Sequence, residues 1–142
     1  SLLLAHAEIS LKANREEIQA IMQQDKNPEE ILKNGIGHQC DKHRINPFLL
    51  NLCAAIHANP LLSELDLKYS RENAALLAAF LTQHFPQTEQ HLIKTRSLLA
   101  MELIDSLARS TSRVSDAVKD NLINKFLQVF FADLKGPRHR FI

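Results

Sequence analysis

The chain has 142 residues, 45% of them hydrophobic and 23% charged, and seventeen basic against sixteen acidic side chains leave a formal net charge of +1. That length suits one ordinary domain able to fold without a disulfide or a metal, and the composition excludes a disordered chain. So balanced a charge has no global field for nucleic acid, and with no Trp and one Tyr the chain lacks platforms for stacking bases.

The first segment, residues 2–24, places Leu4, Ala7, Leu11, Ile18, Ile21 and Met22 at helical spacing. Its opening Ser1-Leu2-Leu3-Leu4 does not read as a signal peptide, because Glu8 and Lys12 soon interrupt it and no basic leader precedes it. The missing initiator Met suggests a processed chain or one domain of a longer protein. No apolar run approaches the roughly eighteen residues of a membrane span. Two cysteines, Cys40 and Cys53, are too few for a disulfide framework, which favours a soluble protein of a reducing compartment.

Asn27-Pro28-Glu29-Glu30 reads as a fresh helix start: Asn caps, Pro needs no donor in the first turn, and the acids suit the positive end. Gly35 and Gly37 predict an early end to that helix and a long loop over residues 35–45. Asn46-Pro47 starts the next helix, with Phe48, Leu49, Leu52, Cys53 and Ile56 on one side, and Asn59-Pro60 ends it. Ser70 is positioned to cap a helix running to His84. After Pro86 a long helix is predicted over residues 88–109, with Leu92, Leu99, Leu103 and Leu107 as its stripe and Ile104 beside it. Ser110-Thr111-Ser112 marks a turn. The last helix carries Val114, Val118, Leu122, Phe126, Val129 and Phe130, widened by Ile123, Leu127, Phe131 and Leu134, an arc broad enough to be buried on more than one side. Gly136-Pro137 stops it. The expected fold is therefore mainly α, a single compact multi-helix domain over residues 1–142 with six to seven helices.

One stretch, Leu49 to Phe85, holds Leu62-Ser63-Glu64-Leu65-Asp66-Leu67 between two apolar helical runs. Its helix, short strand, helix order resembles a degenerate leucine-rich repeat of the ribonuclease-inhibitor type, and a fainter copy lies around Asn27-Pro28, 32 residues before Asn59-Pro60. The resemblance implies a strand at 63–67 and a surface for protein partners, with Glu64, Asp66, Lys68 and Tyr69 facing outward. Tyr69 stands out there because Tyr is enriched at binding hot spots. The residues themselves leave a second conformation open, in which Pro60 starts a helix and Leu61, Leu62 and Leu65 face a helical core.

Two further constellations bear on chemistry. Cys40 and His43, with Cys53 and His57, offer thiolate and imidazole in the number a closed structural zinc site needs. Cys40 beside His43 also has the makings of a thiolate–imidazole pair, although no nucleophile signature surrounds it. The tail 135–142 carries Lys135, Arg138 and Arg140 without an acid and ends in Phe141-Ile142, a composition able to touch an anionic membrane or a phosphoinositide. Taken together, the residues favour a non-catalytic protein-interaction module, with a zinc-stabilised domain and a membrane-tethering domain as the alternatives.

Overall fold

The computed structural model describes residues 2–45 and 47–135; the side chains of residues 45, 47–50, 53, 133 and 135 fall outside that description. Six helices follow one another: α1 (Leu2–Met22), α2 (Pro28–Ile45), α3 (Pro47–Ala58), α4 (Pro60–His84), α5 (Gln90–Ser110) and α6 (Asp116–Lys135), with a 3₁₀ turn at Thr111–Arg113. Among the described residues there is no strand, and no helix is long and apolar enough to cross a membrane.

The Asn-Pro starts form as their chemistry requires. Asn27 Oδ1 accepts from the Glu30 amide at 2.8 Å, and Asn59 Oδ1 accepts from the amides of Leu61 and Leu62 at 3.0 and 3.3 Å. Each closes donors that a helix start would otherwise leave open. Because Asn59 caps so well, the helix begins at Pro60, not at Ser70, and residues 63–67 lie inside α4. The strand implied by the repeat resemblance is not formed. Leu62 and Leu65 instead pack with Ala7, Leu52 and Ile56 in a small apolar cluster, as the helical alternative expects, whereas Leu61, expected beside them, is exposed.

The second correction concerns α2, which runs straight through Gly35 and Gly37, so the loop expected at 35–45 is helix. A helical glycine costs about 1 kcal/mol against alanine. Here Ile31, Leu32, Ile36 and Cys40 are all buried in the main core, and their burial outweighs the two glycines. Arg44 holds the far end of α2 in place: its guanidinium bonds the carbonyls of Thr111 and Val114 and pairs with Asp116 at the start of α6.

In α5 the predicted stripe divides: Leu92 and Leu107 are half-buried, Leu107 and Ile104 against the main core, but Leu99 and Leu103 turn outward. Ile93, Ser97, Ala100 and Ala108 are the buried row, with Ile104 half-buried, whereas Leu99 and Leu103 are each 45% exposed. Small residues on the inner row let α5 approach its neighbours α4 and α2 closely, since interaxial distance depends on the side chains at the contact. In α6 the wide arc divides. Ile123, Leu127, Phe130, Phe131 and Leu134 are buried, while Val118, Leu122 and Val129 remain exposed.

Two apolar clusters result. The larger joins α2, the second half of α4, α5 and α6; the smaller joins the start of α1, α3 and the start of α4. Helix α4 is the spine of both, packing against α5, α1 and α3.

Candidate functional site

At the junction of the two clusters lies a cavity of about 180 Å³, partly open to solvent. Its walls come from α1, α2, α3, α4 and α5. Ile31, Leu32 and Ile36 reach it from the larger cluster, and Leu52 and Ile56 from the smaller. Helix α1 roofs it with Leu11, Ile18, Ile21 and Met22, none of which is fully buried; Ala7 alone is buried in that helix.

Helix α1 is held down largely by polar ties. Arg15 pairs with Glu72 on α4 at 2.7 Å, and Lys42 on α2 pairs with Glu17 at 2.8 Å. Gln39 donates to Asn14 Oδ1 at 2.6 Å. Partial burial works against the charge on Glu17, yet hydrogen bonding and charge from Lys42, then from His38, hold its carboxyl below the ordinary carboxylate value.

The spacing along α4 explains the polar content of the cavity. Leu62, Asp66, Tyr69, Asn73, Leu77 and Phe80 recur at three- and four-residue steps and so form one inward row. Asp66, Tyr69 and Asn73 occupy the middle of that row and line the cavity with Ser70. Asn73 is only 7% exposed, and its Oδ1 has no hydrogen-bond partner among the described groups. A buried acceptor left in this state costs about 1–3 kcal/mol. Asp66 is half-buried, and that burial, then the negative charge of Asp105 on α5, raises its pKa above the ordinary value.

Of the residues expected on an outward binding surface, two point in and two point out. Tyr69 is 5% exposed, with the Arg15 guanidinium 5.3 Å from its ring centre, and Asp66 faces the cavity; Glu64 and Lys68, four residues apart, are exposed on another side of α4. On a strand Glu64, Asp66 and Lys68 would have shared one face, but a helix separates them by its 100° step.

The proposed zinc ligands scatter. Cys40 is buried in the main core; burial pushes its thiol pKa up, and its hydrogen bond runs to Thr111. Such a thiol is a poor nucleophile. His43 Nδ1 lies 2.9 Å from the Gln39 carbonyl, and His57 Nε2 lies 3.3 Å from Arg109 Nη1. Among the described residues no three His, Cys, Asp or Glu side chains gather at a metal-binding distance; the Cys53 side chain lies outside them. The basic tail at 136–142 lies outside them as well.

No family model, curated protein or solved structure matches this chain. Its site is therefore read from its own geometry. Sequence reasoning passed over Asn73, although the signal was present: an Asn inside a helical row that also carries Leu62, Tyr69, Leu77 and Phe80 is a polar group aimed at the core.

Proposed function

We propose that this domain is a non-catalytic binding module whose cavity receives a small apolar molecule. The observation that carries this reading is the buried, unpartnered Oδ1 of Asn73 in a wall of isoleucines, leucines and Met22. A row position serving stability alone would hold Leu, as its neighbour one turn on, Leu77, does. An apolar pocket with a few convergent polar groups is the usual form of a ligand site. The test is titration with ethylbenzene, followed by amide NMR spectra and by thermal unfolding. Saturable shifts at residues lining the cavity, with a rise in Tm, are expected. The absence of any saturable shift up to the solubility limit removes the reading.

A second reading, that the domain docks a protein, is favoured by a different observation. Val118, Leu122 and Val129 stand exposed on one face of α6, with Lys125 between them, and Leu99 and Leu103 are exposed on α5. A second copy of the chain is the simplest partner for such a face, with the exposed pair Glu64 and Lys68 as further contacts if the partner spans α4. Sedimentation of the wild type against the Leu122→Glu, Val129→Glu double variant decides it. A dimer that becomes a monomer with unchanged Tm supports docking; a wild-type monomer at all concentrations opposes it.

A further inference from the structure

The helices contribute unequally to the two cores. No buried residue of the larger cluster belongs to α1, so α2, α4, α5 and α6 keep that core whether or not α1 is docked. What apolar hold α1 has lies at its two ends. Leu4 and Ala7 pack into the smaller cluster, and Ile21 and Met22 lie against the larger one, next to the link with α2. The middle of the helix spans the cavity. There Leu11 and Ile18 face open volume instead of packed atoms and forgo part of their dispersion contacts.

Polar ties hold that middle span. Glu17 binds Lys42 and His38 on α2, Asn14 accepts from Gln39, and Arg15 binds Glu72 and covers the Tyr69 ring on α4. The side chains of the three ion pairs are between 28% and 49% exposed, so water and salt screen them and each pair is worth little. The link to α2, residues 23–26, is exposed, and its backbone bonds close on the last turn of α1 and on the link itself. A helix held in this way opens more readily than the core beside it.

We propose that α1 is the lid of the cavity: it swings about residues 23–26, lifts Ala7, Leu11 and Ile18 away, and admits a ligand while the other five helices stay folded. The ion pairs of Glu17 and Arg15 are its latch. This inference rests on the ligand-binding reading above and adds how the site is reached and closed. Over an occupant, Leu11 and Ile18 regain the contacts that the empty cavity denies them, so ligand and closed lid stabilise each other.

Amide hydrogen exchange at neutral pH, read residue by residue by NMR on the whole chain, tests it. Amides of residues 10–20 are expected to exchange as one group, at least about tenfold faster than those of residues 74–81 in α4. Glu17→Gln should speed the α1 group about three- to fivefold. Ile123→Val, a mild change in the core that α1 does not share, should speed the α4 group about threefold and leave the α1 group unchanged. Ethylbenzene at about three times its Kd should slow the α1 group about fourfold. A common rate for both groups, or an α1 group that follows Ile123→Val, means that α1 opens only with the whole fold; it overturns the lid and leaves the cavity a ligand site. An α1 group indifferent to Glu17→Gln, or unslowed by saturable ethylbenzene binding, does the same. No saturable ethylbenzene binding at all overturns the ligand reading and the lid with it.

Discussion

From Ala74 to Leu81, α4 buries only apolar side chains, packed into the cluster shared with α2, α5 and α6; from Asp66 to Asn73 the same inward row turns three polar side chains toward the cavity. Both halves belong to one uninterrupted helix with one periodicity. What differs is the environment opposite them. The later half meets a closed core, where a polar atom would find neither water nor a partner. The earlier half meets the seam between two clusters, roofed by a helix with a single fully buried residue. A helix thus carries polar groups where its neighbours leave room, and stability is concentrated where they do not.

The contrast between the halves is open to direct attack, and the largest effect belongs to the closed side. Leu77 is completely buried, so Leu77→Ala should cost about 2–5 kcal/mol in denaturant unfolding. Tyr69→Ala removes a larger side chain, yet part of its ring borders the cavity. Its loss of roughly 2 kcal/mol should therefore not exceed that of Leu77→Ala. A larger loss at Tyr69 would make the seam part of the core. In the opposite direction, Asn73→Leu removes the orphaned acceptor and fills neighbouring space, and should stabilise the free protein by about 1–2 kcal/mol. A polar residue whose removal strengthens the fold is the expected signature of a binding position.

Asp66 sharpens the comparison through pH. Its folded pKa lies above the 3.8 of a free side chain, so within that window the native state holds a proton that the unfolded chain has released. Stability contributed by this group is accordingly lost as pH rises through the window. Asp66→Asn should raise Tm at neutral pH, and the advantage should fade below about pH 4. Melting curves of variant and wild type across pH 3 to 8 would expose an opposite trend, which would mean a cation pairs with this carboxylate in the fold. The smallest effect lies outside α4. A Cβ at Gly37 would meet nothing within 4 Å, and no residue there has positive φ, so Gly37→Ala should add about 0.5–1 kcal/mol.

Much of the helical framework is legible in the residues. Asn27-Pro28 announces a start because a side-chain cap and an unneeded amide act within one turn; the same chemistry at Asn59-Pro60 starts α4, where the repeat-like spacing had drawn the start to Ser70. The Ser110-Thr111-Ser112 turn follows from equally local chemistry. The candidate site was less legible. Tyr69 and Asp66 were singled out, but as outward contacts on a strand, since the leucine spacing over 62–67 suits a repeat as well as a helix. Cys40 drew attention as a ligand or nucleophile, and burial against Thr111 makes it a core residue.

What the sequence by itself determined is the set of helices and most of their starts, because capping, proline and 3.6-residue periodicity operate among residues a few positions apart. Tertiary structure decided which face of each helix turned inward. Leu99 and Leu103 stayed exposed because small Ser97, Ala100 and Ala108 let α5 lie close to its neighbours, and Gly35 and Gly37 stayed helical because Ile31, Ile36 and Cys40 gained a core on either side of them. The cavity itself has no local signal. It exists because two apolar clusters, assembled from segments far apart in the chain, meet along α4 without closing, and only their relative placement sets Asn73 at the gap.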